Sequence, residues 1–371
     1  MKIGIVLESS LNIPGGVQEY ALGLYDFLEG QGHHVEILTS GKPHENTENR
    51  NISYLGRSFE IPLFWTSAST PIVIMTGRSI KKFLAEKKFD ILHFMEPSII
   101  FNWQILIRSR AANVLTFCSF HTGIRPLLLS LLKPVGKALT KKIKVKIAVS
   151  EPASFYARKL YPNPYKVIPA GIDLSRFTPD GPKEKSLFGK EINILFVGRL
   201  DKRKGIFYLL QAYADVSKTH ACRLLIAGDG PKKKAAEQWV SENKVKNIHF
   251  LGYVENDSLP DIYRSADIFC SPATHGESFG VVLLEAMASG LPVVAFANRG
   301  YKEVMGDGIL GEFLVPPRDL KSLTLKLKGL IEDEKLRRKL KQKSLEKAQQ
   351  YSWENIGPKI LDIYTRVHNK P

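Results

Sequence analysis

The chain has 371 residues, 44% hydrophobic and 24% charged, a composition that excludes a disordered or fibrous protein, and its length suits two ordinary domains better than one core. The net charge is +16, and residues 78 to 166 hold 17 Lys and Arg against 4 Asp and Glu, so most of the excess lies in one region. Cys118, Cys222 and Cys270 are scattered and match no metal or redox spacing, which reads as buried reduced thiols; no apolar run is long enough to span a bilayer.

Residues 2–7 form a buried-strand pattern directly after Met1, with no charged leader or cleavage site, so secretion is not expected. The next loop ends in Pro14-Gly15-Gly16 ahead of a helix expected over 17–28. Paired glycines at such a turn let backbone approach a phosphate closely, or simply make a tight turn. The Gly-x-Gly-x-x-Gly spacing and the acidic residue of a dinucleotide site are absent. Further strands are expected at 34–39, 89–94 and 114–120, alternating with helical stretches, which predicts a parallel, doubly wound sheet. His121 closes the last of these strands, at the kind of edge where ligands of open sheets gather, although a lone histidine there is more often a turn residue.

Residues 78–89 predict a basic amphipathic helix with Ile80, Phe83 and Leu84 along one side. Downstream, the apolar stretch 127–132 leads into Lys133, Lys137, Lys141, Lys142, Lys144 and Lys146. Basic residues interleaved with apolar ones suit an anionic membrane surface. Nucleic acid ranks lower, since no recognised module or aromatic stacking platform is present, and a merely solvated basic face stands beside both.

Residues 147–150 and 166–169 finish the first half, and Tyr161-Pro162-Asn163-Pro164 with the loop 178–190 has linker composition. A second series follows, with strands at 192–197, 223–227 and 248–251 and helices at 205–216 and 232–243. Two such series imply two similar lobes and a cleft between them. The expected domains are 1–168, completed by the C-terminal helix 353–371, and 169–352. Arg199 and Lys204 follow the strand at 192–197, where cations can neutralise a diphosphate; for Lys202 and Arg203 a solvated loop is the preferred reading. Gly228-Asp229-Gly230-Pro231 and Gly252-Tyr253-Val254-Glu255 end the next two strands, and either lines a nucleotide pocket or simply turns. Residues 320–350 read as charged helices.

The densest chemistry lies at His275-Gly276-Glu277-Ser278-Phe279-Gly280, followed by the apolar stretch 281–290 that carries Glu285 in its middle. A helix of that composition is buried, and a buried carboxylate needs a partner. Ser278 or Glu277 is placed to cap the helix, whose N-terminus then forms an anion site. Two glutamates eight apart occur by chance in any long chain; the strand, loop, helix, strand context around them raises the spacing above chance.

In order, Pro14-Gly15-Gly16-Val17-Gln18, Phe120-His121-Thr122, Gly198-Arg199 with Lys204-Gly205, Ala227-Gly228-Asp229-Gly230 and Glu277-Ser278-Phe279-Gly280 through Glu285 resemble family 4 glycosyltransferases of the GT-B fold over essentially the whole chain. Within that family the chain is similar to the phosphatidylinositol mannosyltransferases, which begin phosphatidylinositol mannoside synthesis from GDP-mannose on the inner face of the membrane. The resemblance implies an α/β protein of two Rossmann-like doubly wound domains facing across a cleft. It implies a retaining, metal-independent hexosyltransferase without a cofactor, using a nucleotide sugar and a lipid acceptor at the cytoplasmic membrane face. By the same resemblance Glu277, His121, Arg199 and Lys204 are catalytic. Gly15, Gly16, Gly228, Gly230, Val254, Ser278, Phe279, Gly280 and Glu285 bind the donor, and Gln18, Phe64, Trp65 and Ser69 meet the acceptor.

No Asp-x-Asp stands at a strand end to carry a metal, and two cations can do its electrostatic work. No carboxylate is assignable as the nucleophile of a double displacement, so front-side displacement is the more economical scheme. Three positions depart from the family pattern: Ser69 stands where the mannosyltransferases have an arginine, Met95 where they have a second histidine, and Ala170 where an asparagine is common. The alternatives are a glucosyl- or N-acetylglucosaminyltransferase using a UDP-sugar with another lipid, polyprenyl or soluble acceptor, a glycan phosphorylase, and a non-catalytic sugar-nucleotide or membrane-binding protein.

Overall fold

A computed structural model of the chain describes residues 1–8, 11, 15–40, 50–55, 57–61, 70–74, 77–96, 101–119, 138, 140–161, 164–184, 189, 191–306 and 308–369. His121, Phe64, Trp65 and Ser69, and the cations Lys133 and Lys137, lie outside the described residues. The chain forms two compact units, Met1–Gly171 with Trp353–Pro371, and Ile172–Ser352.

The first unit runs β1 (Lys2–Leu7), α1 (Gly16–Gly30), β2 (His34–Thr39), β3 (Ile52–Tyr54), an antiparallel pair β4 (Arg57–Ile61) and β5 (Thr70–Ile74), then α2 (Gly77–Lys87), β6 (Ile91–Met95), α3 (Phe101–Arg108), β7 (Ala112–Phe117), β8 (Ile143–Ala148), α4 (Glu151–Leu160) and β9 (Lys166–Val167). Its parallel sheet has the order β3-β2-β1-β6-β7-β8-β9. Lys2 pairs with His34 on one side of β1 and Ile3 with Ile91 on the other. The second unit runs β10 (Ile192–Val197), α5 (Ile206–Val216), β11 (Cys222–Ala227), α6 (Lys233–Glu242), β12 (Ile248–Gly252), α7 (Leu259–Arg264), β13 (Ile268–Ser271), α8 (Val281–Ala288), β14 (Val293–Phe296), α9 (Arg299–Met305), β15 (Leu314–Val315), α10 (Leu320–Glu332) and α11 (Glu334–Gln349). Its sheet, also parallel, has the order β12-β11-β10-β13-β14-β15. The last helix, α12 (Trp353–His368), belongs to the first unit.

Strands such as Ile3 to Val6 and Ile194 to Phe196 are near-continuous apolar runs and are buried, because helices cover both faces of a parallel sheet. Each sheet reverses its strand order once, between β1 and β6 in the first and between β10 and β13 in the second. At such a reversal the loops leaving neighbouring strands run to opposite faces, and the carboxyl edge opens between them.

Two sequence expectations change. The apolar side of α2 is spent internally: Ile80 is buried, and Phe83 and Leu84 pack against a core that includes Phe89, Leu92 and Phe101. Arg78, Lys81 and Lys82 remain exposed. The linker-like stretches do not join the units. Tyr161 and Pro164 sit between α4 and β9, and residues 178–184 belong to the second unit, where Arg264 Nε donates to the Pro182 carbonyl at 2.6 Å. Composition marks a turn but not whether the turn is packed.

Helix α12 packs on α1 through Trp353, whose ring meets Tyr20 edge-on at 5.4 Å. It also supplies Tyr364 to a buried polar chain in which His93 Nδ1 lies 2.5 Å from the Tyr364 hydroxyl and Nε2 lies 2.6 Å from Thr116 Oγ1. Burial pushes the His93 pKa from 6.5 down to about 3, so the ring is neutral, and its central place on β6 is tolerated because both nitrogens are bonded. A depressed folded-state pKa gives stability that is full above the unfolded value of 6.5 and is lost as the pH falls toward about 3. Urea unfolding between those limits should show a loss approaching about 1.4 kcal/mol per pH unit from this group, and His93→Gln should flatten that slope.

Candidate active site

The loops that leave β10 and β13 build the densest charged cluster of the second unit. Residues 198–205 follow β10 and residues 272–280 follow β13. Glu277 Oε1 accepts from Arg203 Nη1 at 2.6 Å and lies 3.1 Å from Lys204 Nζ. The carboxylate is buried, with 9% of the residue exposed. Burial alone would raise its pKa, but Lys204 and then Arg203 outweigh that and hold it below the ordinary 4.5. The stability of this cluster is therefore present above pH 4.5 and is lost as the pH falls through the depressed value.

Backbone contacts bring the loops together. Thr274 N donates to the Arg203 carbonyl at 2.9 Å, Arg203 Nη1 donates to the Gly276 carbonyl at 3.0 Å, and the Lys204 amide donates to Asp201 Oδ1 at 2.9 Å. Gly205, at φ 75°, sits against the Pro272 carbonyl oxygen, which would be 2.0 Å from any Cβ. Gly228, at φ 144°, makes the same kind of approach to the Gly198 carbonyl oxygen, again 2.0 Å from any Cβ. Glycine is required at both places by left-handed backbone and by close backbone packing. Gly230 packs against the backbone of Leu200.

Helices α5, α6 and α8 follow β10, β11 and β13, and their N-cap residues, Gly205, Lys232 and Gly280, make no side-chain cap. The N-cap residue of α8 is neither Ser278 nor Glu277. Gly280, at φ 119°, takes the N-cap position of α8, and Glu277 turns to the cations instead. By contrast Asn298, Asp319 and Asp333 cap α9, α10 and α11 with their side chains. Backbone N–H groups and the positive dipole ends of α5 and α8 thus add to the cations at this edge.

Glu285 is buried inside α8 and accepts from the Tyr263 hydroxyl at 2.7 Å. Burial and then the adjacent Glu285 hold the Tyr263 phenol well above its ordinary value, so it stays a donor. Phe279 turns its ring into the core against Tyr351, Ser278 is half-buried, and Val254 is half-buried just after β12. Arg199 is exposed on the β10 loop; near Asp229 it adds to the effect of the Gly230 amide and Lys233 in lowering that carboxyl. Arg203, read from the sequence as a solvated loop charge, is instead bound to Glu277. In one dimension a cation bound to a carboxylate and a solvated one look alike, and the available signal was its place one residue before Lys204 at the start of a helix.

The first unit has its own strand-order reversal. Gly15 is the N-cap of α1 with no side-chain cap, Gly16 is the first helical residue, and Gln18 is buried in the first turn. Across the reversal Glu96 follows β6 at φ 64°. Its carboxylate accepts from the Cys118 amide at 2.6 Å, and Asn102 Nδ2 donates to the Met95 and Glu96 carbonyls at 3.0 and 2.6 Å.

Two parallel sheets, with a carboxylate and two cations at the reversal of the second, agree with what comparisons with known proteins find. A model of group 1 glycosyl transferases matches residues 179–347, and a model of glycosyltransferase family 4 matches residues 14–176. The chain belongs to the family 4 (group 1) glycosyltransferases and has the GT-B fold. It is 32% identical to the phosphatidyl-myo-inositol mannosyltransferase of Mycolicibacterium smegmatis over 99% of this chain and 94% of that protein. Among solved structures it superposes on a glycosyltransferase from Rickettsia africae with a TM-score of 0.79 at 18% identity, over 100% of this chain and 99% of the other. On Anabaena HepE in complex with UDP and glucose the TM-score is 0.75 at 18% identity, over 99% and 100% of the two chains.

Tyr263→Phe removes the phenol that Glu285 accepts from while leaving the ring in place. It should lower the urea-unfolding free energy by about 1 to 3 kcal/mol, with an unchanged value counting against a stabilising role for this bond.

Proposed function

We propose that this protein is a retaining hexosyltransferase that moves a hexose, mannose from GDP-mannose in the favoured reading, to a lipid-linked acceptor such as phosphatidylinositol at the cytoplasmic face of a membrane. The observation that carries the reading is the Glu277 carboxylate held by Arg203 and Lys204 beside two helices whose N-cap residues are Gly205 and Gly280. Full-length similarity to phosphatidyl-myo-inositol mannosyltransferases supports it. Arg199, Arg203 and Lys204 neutralise the donor diphosphate as negative charge develops on it. Glu277, ionised at neutral pH, accepts hydrogen bonds from hydroxyls of the transferred sugar, flanked by the backbone of Ser278, Phe279 and Gly280. Glu285, oriented by Tyr263, takes the ribose, and Gly228, Gly230 and Val254 border the nucleotide.

From the first unit Gly15, Gly16 and His121 serve the reacting groups, and Gln18, Phe64, Trp65 and Ser69 serve the acceptor. In a front-side displacement the acceptor hydroxyl oxygen bonds to the anomeric carbon as the bond from that carbon to the phosphate oxygen breaks, and the hydroxyl proton passes to the leaving phosphate. Configuration is kept because attack and departure share one face. The three cations supply the charge stabilisation, so no metal is required in this scheme.

A UDP-hexose with a different lipid or polyprenyl acceptor is the second reading, favoured by Ser69, which stands where the resembled mannosyltransferases have an arginine. Among the described residues no helix is long and apolar enough to cross a membrane. With the apolar side of α2 buried, contact with a bilayer rests on exposed cations such as Arg78, Lys81, Lys82 and Lys144. Sedimentation with anionic but not neutral vesicles, weakened by salt, is the expected behaviour; equal binding to both removes the electrostatic role.

A thermal-shift panel of nucleotide sugars tests the donor. GDP-mannose at about 100 times its Kd should stabilise by about 2.7 kcal/mol; a larger effect of UDP-glucose selects the second reading, and no effect of any donor rejects both. Glu277→Ala should lower transfer about 100-fold or more while leaving GDP affinity within about threefold, because the diphosphate cations remain. Transfer at the parent rate removes Glu277 from the mechanism.

A further inference from the structure

The loop 272–280 is braced from two directions, and only one of them belongs to the donor cations. On the cation side, Arg203 and Lys204 hold the Glu277 carboxylate. On the other side lies the start of α9. Asn298 Nδ2 donates to the Ala273 carbonyl at 2.9 Å, while its Oδ1 accepts from the Tyr301 amide at 3.0 Å as the helix cap. Gly300 lies flat against the loop backbone: a Cβ there would be 2.6 Å from the Glu277 carbonyl oxygen and 2.8 Å from the Phe279 amide nitrogen. The fully buried Tyr301 places its hydroxyl 2.7 Å from Ser271 Oγ at the end of β13, and its ring edge leaves no room for a Cβ on Gly280. Ser271, Ala273, Glu277, Phe279 and Gly280 are thus all located by one short helix that carries none of the cations.

From this we infer that Asn298, Gly300 and Tyr301 are positioning residues for sugar transfer, setting the height of the Glu277 backbone and the Phe279 amide against the transferred hexose. The inference rests on the reading of Glu277 as the sugar-binding carboxylate. It separates two functions that share one loop. The grip on the diphosphate comes from the loop after β10, whereas the register of the sugar-facing groups comes from α9. A displacement of order 1 Å at such groups can cost about 100-fold in rate without loss of binding elsewhere.

The test uses the full chain and whichever of GDP-mannose and UDP-glucose stabilises it, with phosphatidylinositol-containing vesicles as acceptor and donor hydrolysis as a second readout. Gly300→Ala forces a methyl group between α9 and the loop; kcat should fall about 100-fold, with affinity for the matching nucleoside diphosphate within about threefold. Asn298→Ser keeps an N-cap oxygen but is too short to replace the Nδ2 group that reaches the Ala273 carbonyl; kcat should fall about tenfold with the same diphosphate affinity. If Gly300→Ala does not fold, Asn298→Ser carries the comparison. Loss of diphosphate affinity in parallel with kcat would mean that α9 is a general support, and parental kcat in Gly300→Ala and Asn298→Ser would remove it from the reaction; either outcome overturns the inference. Glu277→Ala, measured alongside, fails separately: if it transfers at the parent rate, the sugar-binding role of Glu277 is lost whatever α9 does.

Discussion

The contact on which the second unit depends is the buried carboxylate of Glu277 against Arg203 and Lys204. The reversal of strand order between β10 and β13 leaves the carboxyl edge open, and the N-termini of α5 and α8 make it positive. Adding two cations to such a place is unfavourable unless an anion is present. Glu277 supplies that anion from the protein, so the edge stays assembled without a ligand and is ready for a negatively charged one. The loop that carries this carboxylate is also held by something other than its charge, the packing of its backbone against Gly300 and the bond from Asn298 to the Ala273 carbonyl.

The first unit is organised on a different principle. Its centre is a neutral polar chain, Tyr364 to His93 to Thr116, closed by a helix that arrives from the far end of the sequence. The apolar side of α2 faces inward and its cations face water. A basic amphipathic pattern therefore says which residues share a face, not whether that face is buried against protein or lipid. Here the protein core claims it, and electrostatics is what remains for a surface partner.

How far the fold could be read in advance follows from which interactions are local. Strands 2–7, 34–39 and 192–197 match the observed elements because a parallel strand covered on both faces is an unbroken apolar run. The Glu277 to Glu285 spacing was legible because it lies within one loop and helix. Their partners were not: Tyr263 lies 22 residues from Glu285, and Arg203 lies 74 from Glu277, and nothing in a one-dimensional pattern distinguishes an arginine that reaches a carboxylate from one that reaches water. The N-cap of α8 differs from expectation for a related reason. Ser278 and Glu277 have capping chemistry, but Gly280 occupies the N-cap position in a left-handed conformation, and the cations offer Glu277 a stronger partnership than one amide does.

On the proposed reading, donor and acceptor chemistry therefore stand on different footings in this chain. Arg203, Lys204, Glu277, Glu285, Tyr263 and the α9 corner all lie within Ile172–Ser352, and each is fixed by contacts inside that unit. Their geometry is decided by backbone packing at Gly205 and Gly228, which tolerates little change. The residues proposed for the acceptor, Phe64, Trp65 and Ser69, lie in sequence between β4 and β5, an antiparallel pair apart from the seven-stranded sheet. Ser69 belongs to the other unit, so a change there from arginine to serine leaves the contacts of the charged edge within Ile172–Ser352 in place. On the proposed reading, the choice of acceptor is thus separable, in physical terms, from the grip on the donor.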